Sequence, residues 1–264
     1  MSKSNSKKKS KSKKKSKNKK KSKKKTKKSK KRFDGRKAKE LREIKIESGV
    51  LPFADGSAYI EMGRNKVIVG VFGPREMHPK RFSKPDRAVL RCRYHMSPFS
   101  VHPRRSPGPS RRDREIGMVM TWALEPAIFL DRYPRSVIDV YAEVLQADGG
   151  TRTACINAAT VALVDAGIPM KDLVSSCAAG KMDGQTILDL GDYEDKEGEA
   201  DIPVAWMNKM EKITLLQMDG VLDPEVFQEC VELAVEGCKQ INEMQRETLK
   251  KKYGLEEENE EDEE

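Results

Sequence analysis

The sequence predicts an α+β fold in which sheets and helices form two layers. Segments that alternate apolar with polar residues, as half-buried strands do, recur along the chain. Helical patterns interrupt them in the order strands, helix, strand, helix, strands, helix. The apolar face of a sheet and the apolar stripe of a helix must each be buried against another element, and in this order helices can cover the sheets. The stretch 33–255 is long enough to bury a sizeable core.

Strands dominate the first part of that stretch. Four segments alternate in the manner of strands: 42–48, 57–63, 66–72 and 88–96. A loop rich in Pro, Ser and Arg follows at 97–112. A helix is then predicted to begin near Asp113, with Ile116 and Leu124 on its apolar stripe. Pro126 should kink or end that helix.

The second part mixes helices with strands. Segment 136–146 is β-branched and alternating, which makes it the clearest strand, and it runs into a sharp turn at 148–151. A helix of small residues is predicted over 152–167, and a long amphipathic helix over 224–253. Between these helices lie four predicted strands: 173–181, 185–190, 202–207 and 212–218.

The net charge of +10 combines parts of opposite sign. Residues 1–32 hold 19 Lys, one Arg and no acid, so they are predicted to form a disordered arm. The segment 254–264 is predicted to be a disordered tail, with 8 acids. The predicted domain between them, 33–253, is nearly neutral, so the basic pI does not indicate that it binds nucleic acid. The arm itself could hold polyanions, keep the chain soluble or pair with the acidic tail.

Several classes of protein are excluded. The sequence has no run of 18 apolar residues, which argues against a transmembrane helix, and its start lacks the apolar core of a secretory signal. Five cysteines are scattered without a CxxC pair, which indicates buried free thiols in a reducing compartment. His78, His95 and His102 lack the spacing of metal ligands and are interpreted as structural or RNA-facing. A cytoplasmic protein without a membrane partner is expected.

Charge is segregated inside the nearly neutral domain. Residues 64–114 contain 14 Lys and Arg against 3 acids, whereas residues 183–236 contain 3 Lys against 15 acids. The first region could bind a polyanion, and the second could bind a metal cation. The alternative is that the fold interleaves the two regions and no site results.

Two short motifs suit anions. Arg111 and Arg112 precede the predicted helix, where adjacent arginines can clamp phosphates. Gly150, Thr151 and Arg152 follow a strand and open a helix, whose unpaired N–H groups favour anions. An ordinary capped helix is the alternative reading of the second motif.

A third motif suits a cation. The run 191–201 holds six acids, and Asp195 and Asp201 flank a glycine-containing turn within it. Clustered carboxylates suit Mg²⁺, a hard ion that prefers oxygen ligands. A solvated acidic loop is the alternative.

Taken together, these segments resemble the RNase PH-type family of 3′–5′ phosphorolytic exoribonucleases, and within it the catalytic RNase PH-like subunits of archaeal exosomes. The resemblance covers about residues 33–253. The matching segments are FDGR at 33–36, GPREMHP at 73–79, RYHM at 93–96, PFS at 98–100, PSRR at 109–112, EVLQADGGTR at 143–152, AGIPM at 166–170 and EDKEGEAD at 194–201.

The resemblance implies a fold of two βαβα-like halves and a reaction. Inorganic phosphate, as co-substrate, attacks the terminal phosphodiester of single-stranded RNA at its 3′ end and releases a nucleoside diphosphate. In reverse, the enzyme adds 3′ tails. The implied phosphate-binding residues are Arg112, Gly150, Thr151 and Arg152, and the implied RNA-binding residues are Arg111, Arg75 and Lys80.

The same resemblance makes Asp195 and Asp201 the catalytic carboxylates and the Mg²⁺ ligands. Asp195 is assigned to protonation of the leaving oxygen and Asp201 to the metal, with the two roles open to sharing. The family pattern has serine where Thr151 stands, and threonine keeps the hydroxyl. The Lys-rich arm is not a family feature.

The implied assembly is a hexameric ring of three heterodimers with an inactive RNase PH-like paralogue, with RNA-binding cap subunits on one face. A homohexameric tRNA-trimming RNase PH is an alternative, since ADGGTRTA fits it equally well. A non-catalytic RNA-channel subunit is another, although such paralogues lack the carboxylates or the phosphate-binding arginine. A general polyanion binder would explain only the arm.

Overall fold

A five-stranded sheet organises the first half of the chain. Its strands are β1 (Ile44–Ser48), β2 (Gly56–Met62), β3 (Asn65–Glu76), β4 (Val89–Met96) and β5 (Ser136–Gln146), in the order β1-β2-β3-β5-β4. The β4–β5 pair is parallel and the other pairs are antiparallel. Parallel neighbours need a crossover, and helix α1 (Arg111–Leu124) supplies it and packs on β4.

A second, antiparallel sheet organises the other half. Its strands are β6 (Val174–Met182), β7 (Gln185–Leu188), β8 (Ala200–Met207), β9 (Lys212–Leu216) and β10 (Asp219–Gly220). The order is β10-β8-β6-β7, with β9 also paired to β8. A short helix α3 (Asp192–Glu197) precedes β8, and the long helix α4 (Pro224–Lys252) packs on β6 and β8.

Helix α2 (Thr151–Asp165) joins the two halves because it packs against strands of both sheets. Its first residues belong to the site described below, so this packing sets the site's position relative to both sheets. Small residues make the contact close: a Cβ on Gly56 of β2 would lie 2.2 Å from the backbone nitrogen of Ala166.

The computed structural model describes residue 32 and residues 34–254. The predicted arm 1–32, apart from Arg32, and the predicted tail 254–264, apart from Gly254, lie outside the described residues. Within the described part of the chain, no helix combines the length and the apolar character needed to cross a membrane. All five cysteines are free and buried, as predicted.

The predicted α+β fold class is confirmed, and β5 has the predicted bounds. Some local predictions were wrong. β3 extends to Glu76 because its pairing with β5 resumes after a bulge. β9 covers only Lys212–Leu216 of the predicted strand 212–218, and β10 begins after the predicted end of that strand. The acidic run 191–201 contains helix α3, whose first turn is capped by the Glu194 carboxylate, which accepts from the Gly191 N–H.

Candidate active site

A cavity of ≈ 660 Å³ opens where the first turns of α1 and α2 face α3, β8 and β10. Its walls combine residues from both halves of the chain. The lining residues are Arg111, Arg112, Glu115, Gly150, Thr151, Arg152, Thr153, Ala178, Asp195, Asp201, Pro203, Gln217, Met218 and Asp219.

The start of α1 presents two arginines to this cavity. Ser110 caps the helix: its hydroxyl accepts from the Asp113 N–H, and the Asp113 carboxylate accepts from the Ser110 N–H. This capping box begins the helix two residues earlier than predicted, so that Arg111 and Arg112 occupy its first two positions. Their guanidinium groups are exposed and available to an anion.

The start of α2 forms the second cationic wall. Gly149 and Gly150 both adopt positive φ, at 71° and 66°, in the left-handed region that glycine tolerates. A Cβ on Gly149 would lie 2.5 Å from the Asp192 nitrogen, so the turn lies directly against α3. The N-cap, Gly150, has no side chain to cover the first N–H groups of the helix, which therefore suit an anion.

The guanidinium of Arg152 is held in place by two neighbours. It donates to the Gln217 side-chain oxygen at 2.7 Å and lies 3.7 Å from the Glu115 carboxylate. Its Nε is buried and has no hydrogen-bond partner among the described residues. A half-buried, oriented cation whose buried Nε donor is unused is suited to an anionic ligand.

Two carboxylates face these cations. Asp195 lies on α3, and Asp201 lies on β8, opposite Asp219 of β10. Burial raises the pKa of Asp195, partly opposed by the charge of Arg112. Burial, reinforced by the charge of Asp195, raises the pKa of Asp201 to about 7, with Arg152 opposing. Such a carboxyl can hold or release a proton near neutral pH.

The donor set fits a hard divalent cation shared with a substrate. The Asp201 Oδ1 atom is buried and has no hydrogen-bond partner in the described part of the chain. The described residues contain no group of three or more His, Cys, Asp or Glu side chains that could hold a metal by themselves. Mg²⁺ is commonly held by one or two carboxylates together with substrate phosphates and water.

Comparison with known proteins decides the family. Domain 1 of the 3′ exoribonuclease family, RNase PH, matches residues 40–169, and domain 2 matches residues 172–237. The chain belongs to the RNase PH family of 3′ exoribonucleases. The resemblance inferred from sequence motifs is thereby confirmed.

Relatives within the RNase PH family are similar over most of their length. The chain is 60% identical over 222 residues to the Exosome complex component Rrp41 of Thermococcus kodakarensis, covering 84% of this chain and 89% of that protein. It is 58% identical over 223 residues to that of Methanopyrus kandleri, covering 84% and 93%.

Solved structures share the RNase PH fold. Rice Rrp46 matches with a TM-score of 0.72 at 26% identity, over 83% of this chain and 100% of that chain. A chain of the Archaeoglobus fulgidus exosome, determined with RNA bound to the active site, matches with a TM-score of 0.71 at 23% identity, over 80% and 91%.

Seven of the nine RNase PH site residues predicted from sequence line the cavity together. Those seven are Arg111, Arg112, Gly150, Thr151, Arg152, Asp195 and Asp201. The structure places Arg75 and Lys80 elsewhere. Arg75 on β3 donates to Asp139 at 2.7 Å, and exposed Lys80 pairs with Glu76 at 2.7 Å.

Four other polar residues in the cavity were missed, one of which is Thr153 in the first turn of α2. Glu115 lies one turn after Arg111 on α1, so helical spacing alone could have found it. Gln217 and Asp219 reach the cavity because β9 and β10 both pair with β8. No local sequence signal indicates that register.

Proposed function

We propose that this chain is a phosphate-dependent 3′–5′ exoribonuclease that serves as the catalytic subunit of an exosome. The observation that carries the proposal is the cavity itself, in which two cationic helix starts face a pair of carboxylates with raised pKa values. Family membership and similarity to archaeal exosome components support it. The substrates are inorganic phosphate and the 3′ end of single-stranded RNA, and the products are nucleoside diphosphates and shortened RNA.

Attack of one anion on another requires cations to bring the two together. Inorganic phosphate binds at the N–H groups that begin α2, with the Thr151 hydroxyl and the guanidinium groups of Arg112 and Arg152 around it. Binding both substrates in one cavity holds the attacking oxygen in line with the scissile bond. The entropy of bringing the two substrates together is then lost on binding and not in the reaction step. Arg111, at the rim, holds the RNA backbone.

The carboxylates serve the leaving group. Mg²⁺ held by Asp195 and Asp201 would neutralise charge on the scissile phosphate. The departing 3′ oxygen needs a proton, which a neutral carboxyl can supply. Asp195 is the proposed proton donor and Asp201 the proposed principal metal ligand, and the two carboxyl groups can share both roles. Because burial raises the pKa of Asp201 to about 7 before any cation binds, a proton and a cation compete for this carboxylate near neutral pH.

Arg75 and Lys80 are proposed to touch RNA before it enters the cavity. Both side chains remain exposed although each has an acidic neighbour. The Lys80–Glu76 pair is exposed on both sides and could exchange for a contact with phosphate at little cost, since exposed pairs contribute at most about 1 kcal/mol. Asp139 is buried, and Arg91 remains as its partner if Arg75 turns to phosphate.

The proposed assembly is a hexameric ring in the cytoplasm. Three copies alternate with three copies of an inactive RNase PH-like paralogue, and RNA-binding cap subunits cover one face. Mass measurement of the chain alone and mixed with the paralogue tests this. A stable, fully active monomer contradicts it.

Product analysis tests the activity. The chain, alone and with its paralogue, is incubated with single-stranded RNA, Mg²⁺ and phosphate. Phosphate-dependent release of nucleoside diphosphates is expected, and Asp201→Ala should abolish it while RNA binding survives. Nucleoside monophosphates would mean hydrolysis and overturn the proposal. Trimming confined to tRNA 3′ ends by a homohexamer would favour the alternative RNase PH, and RNA binding without products would favour a non-catalytic ring subunit.

A further inference from the structure

A buried arginine outside the cavity connects its two walls. Arg42 is 7% exposed and precedes β1. Its Nε donates to Asp189 Oδ2 at 2.9 Å, and one terminal nitrogen donates to Asp189 Oδ1 at 2.6 Å. The other terminal nitrogen donates to the carbonyl oxygens of Asp148 at 2.8 Å and Gly149 at 3.3 Å. One guanidinium thus holds the turn that begins α2 and a carboxylate from the second half.

The contacts on the turn determine how its peptide planes face. In a trans peptide the C=O and the following N–H point in opposite directions. Fixing the carbonyls of Asp148 and Gly149 on Arg42 therefore directs the N–H groups of Gly149 and Gly150 away from it. Asn65, fully buried, reinforces the orientation: its side chain donates to the Gly149 carbonyl at 2.5 Å and accepts from the Asp148 N–H at 2.6 Å.

Contacts around Asp189 connect Arg42 with helix α3, which carries Asp195. Asp189 lies three residues before α3, on which Asp195 stands. Arg36 donates to the Asp189 carbonyl at 3.1 Å and lies 4.0 Å from the Glu194 carboxylate, which caps α3. The segment 36–42 therefore touches the start of α3 at one end and the α2 turn at the other.

We propose that Arg42 is a positioning residue that fixes the phosphate-binding turn, residues 148–151, relative to the carboxylates of Asp195 and Asp201. It touches neither substrate in the proposed function, on which this inference rests. Arginine is needed because its planar fork serves acceptors on two separate segments, whereas lysine offers a single nitrogen. Arg42→Lys can keep a charge beside Asp189, but it cannot reproduce the fork to both segments.

The test separates phosphate binding from RNA binding. Arg42→Met and Arg42→Lys are assayed in the assembled complex for kcat, for the KM of inorganic phosphate and for RNA affinity. We expect the phosphate KM to rise about tenfold or more in Arg42→Met and by a smaller factor in Arg42→Lys, with RNA affinity within about twofold of the starting protein. If Arg42→Met does not fold, Arg42→Lys carries the test.

Two controls separate positioning from general damage. Arg246→Met removes an arginine of α4 that pairs with Asn242, away from the cavity. Leu249→Ala weakens the packing of the same helix. Both should keep the phosphate KM. Amide hydrogen exchange gives a readout independent of turnover: residues 149–153 should exchange faster in the Arg42 variants than in either control.

The outcomes distinguish this inference from the proposed function. If the starting protein releases no nucleoside diphosphates, the proposed function fails. If it does, but a folded Arg42→Met protein keeps its phosphate KM and its exchange rates, the positioning role fails alone. An equal loss of phosphate and RNA binding would also overturn it, because it would indicate general damage.

Discussion

The phenol oxygen of Tyr94 lies 2.8 Å from the hydroxyl oxygen of Thr151. Tyr94 stands on β4 and Thr151 is the first residue of α2, so this bond connects the proposed phosphate-binding turn to the first sheet. Burial raises the pKa of Tyr94, which keeps the phenol neutral. Either hydroxyl can donate in this bond, and when Tyr94 donates, the Thr151 hydroxyl hydrogen is left for a phosphate oxygen.

Removing the Tyr94 hydroxyl should therefore weaken phosphate binding through Thr151. We expect Tyr94→Phe to raise the phosphate KM by about threefold to tenfold, and Thr151→Ala to raise it more. The double variant should be no worse than Thr151→Ala, since both act on one hydroxyl. Thr151→Ser should stay near the starting value. Additive effects would show that Tyr94 acts elsewhere.

Removing the Arg152 guanidinium should weaken phosphate binding more than RNA binding. Arg152→Ala is expected to raise the phosphate KM by about tenfold to a hundredfold, because a charge-assisted bond is lost. Gln217→Ala should raise the phosphate KM by a smaller factor, since Gln217 only orients the Arg152 side chain. Steady-state kinetics and RNA affinity measure the two effects, with exposed Arg114→Ala as control. A larger loss of RNA affinity would move Arg152 to the RNA site.

The raised pKa of Asp201 should make folding stability depend on pH. Its carboxyl binds a proton more tightly in the folded chain, at a pKa of about 7, than in the unfolded chain, at about 4. Without divalent cations, stability should fall as pH rises between those values, by about 1–3 kcal/mol. Denaturant titration with EDTA measures this.

The matching variants test the cause of that dependence. Asp201→Asn should lose most of the slope and be more stable than the starting protein at pH 8, because no buried charge forms. Asp86→Asn, at an exposed acid, should keep the slope. Added Mg²⁺ should stabilise the starting protein at pH 8 more than Asp201→Asn. An unchanged slope in Asp201→Asn would place the titrating group elsewhere.

Removing residues 1–31 deletes 19 lysines and should weaken RNA binding mainly at low salt. If the arm recruits RNA by releasing counterions, the plot of log affinity against log salt should become flatter. Turnover at saturating RNA should be unchanged. Replacing the lysines with serine at constant length separates charge from length. An unaltered salt slope would leave the arm as a solubility or docking segment.

The comparison of predicted with observed elements shows where local pattern suffices. β5 was found by its alternation, and α2 by its small residues after a glycine turn. Both depend on short-range backbone geometry and on side-chain period, which neighbouring residues set. The ends of β9 and β10 were harder to predict from the sequence, because they depend on where each strand stops pairing with β8.

The sequence by itself determined the two-layer fold class, the family and seven residues of the cavity. Those conclusions follow from local period and from motifs that stay contiguous along the chain. Tertiary structure decided that Arg75 and Lys80 lie outside the cavity, that Arg42 donates to the turn before α2, and that burial beside Asp195 raises the pKa of Asp201 to about 7. Burial and ion pairing depend on residues distant in sequence, such as the 147 positions between Arg42 and Asp189, so no local pattern carries them.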